Sequence, residues 1–165
     1  MTASPLKHSF GPVVNDEVRL LVLGSLPGEE SLARAQYYAH PRNQFWRLME
    51  QVTGTALVPL GYEERLHALL TARVGLWDVV ASATRTGSLD GVIRDHRPNE
   101  LKALVESLPN LRAIGFNGGT SARIGQKALH GVSGIDFVPL PSSSPALTLA
   151  FEEKRVRWLT LRHYL

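Results

Sequence analysis

The chain has 165 residues, 44% hydrophobic and 20% charged, which suits a folded domain with a sizeable core. Formal net charge is only +3, with 18 Lys+Arg against 15 Asp+Glu, so binding to a polyanion is permitted but not demanded. There is no cysteine, which excludes disulfides, thiolate metal sites and a cysteine nucleophile. No apolar run reaches the roughly 18 residues of a membrane span and no signal-peptide pattern opens the chain, so the expected compartment is the cytoplasm. Lysine stands only at Lys7, Lys102, Lys127 and Lys154; arginine, which suits bidentate phosphate contacts, supplies the other basic residues.

In chain order, Met1 to Asn15 reads as an N-terminal arm without clear period. Leu20-Leu21-Val22-Leu23 then has the length and apolar content of a strand buried on both faces. It stops at Gly24-Ser25-Leu26-Pro27-Gly28, a tight turn. Ser31 to Ala39 holds a short helical turn that ends before His40-Pro41, because a residue preceding proline avoids the helical region. Tyr37, Tyr38, His40, Arg42, Asn43, Phe45 and Trp46 form a dense cluster of rings and hydrogen-bonding groups. That mixture suits a planar ligand such as a nucleotide base, although Phe45 and Trp46 by themselves read as core. Asn43 is placed to cap a helix over Gln44 to Thr53, with Phe45, Leu48, Met49 and Val52 on one side.

Tyr62 to Ala72 is the next helix, and Val74 to Val80 a second strand. Ala81 to Asp90 is small and polar and reads as a loop, with Arg85 exposed on it. A helix over Pro98 to Leu108, with Asn99 as its cap, precedes a third strand at Leu111 to Phe116 that ends at Asn117-Gly118-Gly119. Thr120 to His130 is helical, and Ile135 to Leu140 is the last strand, closed by Pro141-Ser142-Ser143-Ser144-Pro145. A terminal helix over Phe151 to Leu165 is expected to turn Val156, Leu159 and Tyr164 inward. The alternation predicts an α/β fold: one three-layer α/β/α domain over residues 1–165, with a central, mostly parallel sheet of about four strands.

In such a sheet the turns after the strands gather on one edge, where ligands bind. The candidate loops are therefore Gly24–Gly28, Asp78–Arg85, Asn117–Gly119 and Ser142–Pro145. No P-loop, dinucleotide fingerprint or Gly-x-Ser-x-Gly elbow is present. The six histidines never pair at metal-ligand spacing, so no metal and no cofactor are expected. The serine run between prolines is dense in hydroxyl and N–H groups and suits a phosphate backbone, or serves as an ordinary polar turn.

Taken together these segments resemble the uracil-DNA glycosylase superfamily. Gly24-Ser25-Leu26-Pro27-Gly28 is similar to its first motif, and Leu140-Pro141-Ser142-Ser143-Ser144-Pro145 to its second. Tyr38-Ala39-His40-Pro41-Arg42-Asn43-Gln44-Phe45-Trp46 resembles the F-A-H-P-x-N-x-F-W of mismatch-specific members, and Ser88-Leu89-Asp90 and Gly115–Gly118 extend the likeness to the hypoxanthine-DNA glycosylase branch. The resemblance implies hydrolysis of the N-glycosidic bond of a deaminated base flipped out of DNA. It makes Asn43, His40 and Ser25 the catalytic candidates. Asn43 contacts the base or orients the water; His40 donates to the leaving base or braces its loop. Gly24, Ser25 and Leu26 line the pocket, Tyr38 stacks on the base, and Asn117 reads the base edge or simply forms its turn. Ser142, Ser143 and Ser144 grip phosphates, with Arg85 as a further contact, and Ala146 or Leu147 wedges into the vacated stack. The partner implied is damaged DNA, bound by a monomer.

Two departures matter. Many superfamily members carry Asp, Asn or Glu where Ser25 and Leu26 stand, and the second motif lacks the histidine of the most efficient uracil enzymes. Both point away from strong uracil excision and fit a slower, broader or hypoxanthine-directed enzyme. The alternatives are a mismatch- or uracil-directed glycosylase, a binder of damaged DNA that does not cut, and a small-molecule nucleoside hydrolase.

Overall fold

The computed structural model describes residues 6–84, 88 and 94–165. Its centre is a parallel sheet of four strands: β2 (Leu20–Gly24), β3 (Val74–Asp78), β6 (Ala113–Asn117) and β7 (Asp136–Leu140), in the order β3-β2-β6-β7. Every residue of β2 is buried, as its unbroken apolar run requires. Alternate side chains feed two cores. Leu20 and Val22 face α2 (Phe45–Thr53), α3 (Tyr62–Thr71) and α6 (Phe151–Trp158), packing with Leu48, Met49, Leu69 and Trp158. Leu21 and Leu23 face α4 (Leu101–Ser107) and α5 (Gly119–Ala128), packing with Leu101, Val105 and Ile124. The expected three-layer α/β/α arrangement results.

Register places the chemistry on one edge. Gly24 pairs with Asp78, and Asn117 with Leu140, so the four strands end together. A short α1 (Glu29–Arg34) follows the first turn. Among the described residues no helix is long and apolar enough to cross a membrane.

Four sequence expectations need correction. The N-terminal arm contains a strand, β1 (Leu6–His8), and the segment read as a loop after Asp78 begins with another, β4 (Val80–Thr84). With β5 (Arg94–Pro98) they make a second, antiparallel sheet in the order β1-β4-β5. Val80 and Ala83 are buried there, so position in the fold, more than β propensity, makes this segment a strand. Asn99 does not cap α4; its amide donates instead to the Asp78 carbonyl at 2.7 Å and ties the two sheets. Finally, α6 gives way to a 3-10 segment over Leu159–Tyr164; Lys154, Trp158 and Leu161 are the buried residues, Tyr164 packs partly buried against the core as expected, and Val156 is 57% exposed.

Candidate active site

The strand ends frame a cleft of about 900 Å³. Its walls come from the first turn (Gly24, Ser25, Leu26), the ring cluster (Tyr38, His40, Asn43), the end of β6 (Asn117) and the serine loop with Ala146 and Leu147. Every expected site residue but Arg85 therefore lines one hollow; Arg85, with Leu89 and Asp90, lies outside the described residues.

Gly24 ends β2 on the floor. A Cβ there would lie 2.6 Å from Asp78 Oδ1 and 3.0 Å from the Tyr38 hydroxyl, so only glycine admits both groups. The carbonyls of Gly24 and Ser25 accept the Val79 and Val80 amides at 2.8 and 3.1 Å, which pins the turn to the start of β4. Tyr38 adopts a left-handed backbone, φ 55°, uncommon for a residue with a side chain. Its ring stacks on Phe45 at 3.8 Å between centroids, 18° from parallel. Tyr37, its neighbour, is structural: its hydroxyl donates to the Gly11 carbonyl at 2.9 Å. Burial raises the Tyr37 phenol pKa well above its ordinary value, and the negative charge of Asp78 adds to the rise.

The serine loop and the asparagines form one relay. Ser143 is 1% exposed. Its N–H donates to Asn117 Oδ1 at 2.9 Å, its hydroxyl accepts from Asn117 Nδ2 at 2.9 Å, and the same hydroxyl donates to Asn43 Oδ1 at 2.8 Å. The Ser143 carbonyl accepts the Gln44 amide at 3.0 Å. Asn117 Nδ2 also reaches the Tyr38 hydroxyl at 3.3 Å. Asn43 Oδ1 accepts a second bond, from the Phe45 N–H at 3.0 Å. Asn43 therefore helps to start α2 much as expected of a cap, one position outside the residue that takes the cap.

The consequence for Asn43 is chemical. A carbonyl oxygen has two lone pairs, and both of Asn43's are engaged. The bond from a backbone N–H also fixes which end of the amide is oxygen. Asn43 is left with Nδ2, which makes no hydrogen bond among the described residues, to offer to the cleft. It can donate there and cannot accept.

His40 is held the same way. Its Nδ1 accepts the Arg42 N–H at 3.1 Å, leaving the proton of the neutral ring on Nε2, and its carbonyl accepts the Asn43 N–H at 2.9 Å. The three serines divide. Ser143 and Asn117 are bonded inward, to each other and through the Ser143 hydroxyl to Asn43. Ser142 and Ser144 are half-buried, and their hydroxyls accept the N–H groups of Ser144 and Ala146 at 3.1 Å each, leaving both O–H hydrogens to donate outward. Gly118, φ 97°, lets the β6 turn pass under Ser142, where a Cβ would meet the Ser142 Cβ at 3.3 Å. Leu147, in the cleft wall, is 40% exposed.

The sequence places Asp78 at the start of a candidate loop and gives it no role. It lies buried on the cleft floor beside the Tyr38 hydroxyl, brought there by the pairing of β2 with β3. A hint was available: it is the acidic residue ending a buried strand, opposite a glycine.

The family model for the uracil DNA glycosylase superfamily matches residues 12–162. A hypoxanthine DNA glycosylase of Methanosarcina barkeri is 36% identical over 152 residues, covering 92% of this chain and 95% of the relative. One of Methanosarcina acetivorans is 38% identical over 153 residues, covering 93% and 96%. The solution NMR structure of a Methanosarcina acetivorans protein, described provisionally as a uracil DNA glycosylase, superposes with a TM-score of 0.86 at 37% identity, covering 97% of this chain and 99% of that one.

Proposed function

We propose that this chain, which belongs to the uracil DNA glycosylase superfamily, is a monofunctional DNA glycosylase that hydrolyses the N-glycosidic bond of deaminated bases, hypoxanthine first among them. It acts as a monomer, folded as one domain, on DNA in the cytoplasm. The observation that carries the reading is the doubly anchored Asn43 amide, a fixed donor beside a pocket with an aromatic wall.

The reaction breaks the bond between C1′ and the base nitrogen, and the electron pair leaves with the base. Water adds its oxygen to C1′, and its proton ends on the base. Negative charge grows on the base and positive charge on the sugar. Asn43 Nδ2 donates to an acceptor on the departing base, a preorganised contact that strengthens as charge develops. The Asp78 carboxylate, on the floor beneath, offsets the charge on the sugar. This answers the missing acid of the first motif: the neutral Ser25 and Leu26 line the pocket, and the charge comes from β3. Tyr38 stacks on the base, His40 Nε2–H donates to the leaving base, Ser142 and Ser144 donate to phosphates, and Ala146 and Leu147 fill the gap the flipped base leaves.

Donor-only chemistry also suits the substrate. Deamination replaces the exocyclic amino donor of adenine with an oxygen acceptor, as in the N7 and O6 acceptor edge of guanine. A fixed N–H that cannot accept therefore favours hypoxanthine over adenine. The test is an excision assay on labelled oligonucleotides with a central hypoxanthine, uracil or xanthine, followed by alkaline cleavage. Release of hypoxanthine ahead of uracil is expected. Release of uracil alone would move the enzyme to another branch. Lesion binding without base release would make it a binder.

A further inference from the structure

The serine loop is held from beneath by α6, and one of the two holding residues is a buried lysine. Lys154 and Trp158 stand one helical turn apart and both reach the loop. Trp158 Nε1 donates to the Pro141 carbonyl at 2.9 Å, and Lys154 Nζ donates to the Ser144 carbonyl at 3.2 Å. Trp158 is a large apolar residue in its core, as packing demands. Lys154 is 1% exposed, and among the described residues no carboxylate pairs with it. Burial alone depresses its pKa, with no neighbouring charge contributing. A buried ammonium facing one neutral carbonyl is a cost to the fold. An apolar side chain would serve packing better, so packing does not explain a lysine here.

What lies above it does. The Ser144 carbonyl that takes the lysine also takes the Leu147 N–H at 3.2 Å, so the ammonium holds the bend that carries Ser142, Ser144 and the exposed Leu147. The free hydroxyl hydrogens of Ser142 and Ser144 point to an anion as the loop's partner, and a charge beneath the loop acts through protein, where screening by water and salt is weaker.

We propose that Lys154 is a positioning residue for DNA: its ammonium sets the shape of the 142–147 loop and supplies, from inside, the positive charge against which a DNA backbone phosphate docks on Ser142 and Ser144. The assignment of the anion as DNA phosphate rests on the glycosylase reading. The fold carries an unbalanced charge in the free protein, and the phosphate balances it in the complex.

The test is Lys154→Met in the full chain, since methionine keeps an unbranched apolar stem and removes charge and donor together. Two quantities are measured: Tm without DNA, and Kd for an undamaged duplex by fluorescence anisotropy across a salt series. A merely structural lysine lowers Tm on removal and leaves the salt dependence of binding as it was. Here the signs should differ. Tm holds or rises, Kd weakens about tenfold at roughly 0.1 M salt, and the slope of log Kd against log salt becomes shallower. The loss falls on affinity more than on the rate at saturating DNA. If Tm and affinity both fall, the slope decides: shallower supports the proposal, unchanged overturns it. Unchanged Kd overturns it whatever Tm does. Hypoxanthine excision is followed in the same samples. A wild type that excises while the variant binds as well sinks this inference alone; a wild type that neither binds nor excises sinks the glycosylase reading with it.

Discussion

Asn43 and Asn117 bond to the same buried serine, yet they stand differently towards the cleft. Asn117, at the end of β6, keeps both ends of its amide inside the fold, its oxygen on the Ser143 N–H and its nitrogen on Ser143 and Tyr38. Asn43, before α2, keeps only its oxygen there. One amide is a bracket; the other, in the proposed mechanism, is a tool held through the serine they share. Residue type and position in the cleft do not separate them, since both line the same hollow. What separates them is which atoms remain for a ligand once the internal bonds are counted.

The contrast breaks most sharply at Asn43 itself. Asn43→Ala should lower the single-turnover excision rate by about 100- to 1000-fold, as loss of one transition-state donor does, with DNA affinity within a few-fold of wild type. Asp78→Asn comes next, about 10- to 100-fold in the same assay, because the neutral isostere keeps the shape and removes the charge facing the sugar. Ser143→Ala should follow, at about tenfold. It leaves Asn117 Nδ2 without its shorter bond and Asn43 Oδ1 with one of two, so a loss of about 1–3 kcal/mol in unfolding free energy accompanies it, read by chemical denaturation. A bracket fails in both measurements and a tool in one, which is how Asn43 and Ser143 should differ. The smallest effect is at the rim. Leu147→Ala should weaken excision from a paired hypoxanthine by a few-fold and leave excision from single-stranded DNA unchanged, since a wedge has no stack to fill there.

pH supplies a finer measure. Burial depresses the Lys154 pKa, so below its ordinary lysine value the unfolded chain binds more protons at this site. Stability from this site should therefore rise with pH between the depressed folded value and about 10.4. Any stability advantage of Lys154→Met over wild type should shrink across that window.

Much of this was legible in the residues. The run Leu20–Leu23, the apolar spacing of Phe45, Leu48, Met49 and Val52, and the Gly, Ser and Pro turns after the strands place the four-stranded sheet and its active edge. What stayed illegible depends on contacts between distant segments. Val80–Thr84 has no strand signature and becomes one by pairing with Leu6–His8 and Arg94–Pro98. Asp78 gains its place from register with Gly24. The inward turn of Lys154 runs against its own flanks: it sits between Glu153 and Arg155, where a lysine reads as solvent-facing, and only the serine loop above it gives its ammonium a partner. Ser143 looked the same as Ser142 and Ser144 until the end of β6 placed Asn117 beside it.

The most direct measurement is the single-turnover excision of hypoxanthine by Asn43→Asp beside wild type and Asn43→Ala. Aspartate keeps the acceptor that Phe45 and Ser143 hold, and puts an oxygen where the donor was. If Asn43 acts by donating to the leaving base, the Asp variant falls as far as the Ala variant or further, since a carboxylate opposes the charge gathering on the base. If it matches or exceeds wild type, Asn43 serves to accept a proton or orient water, and the fixed-donor mechanism is wrong.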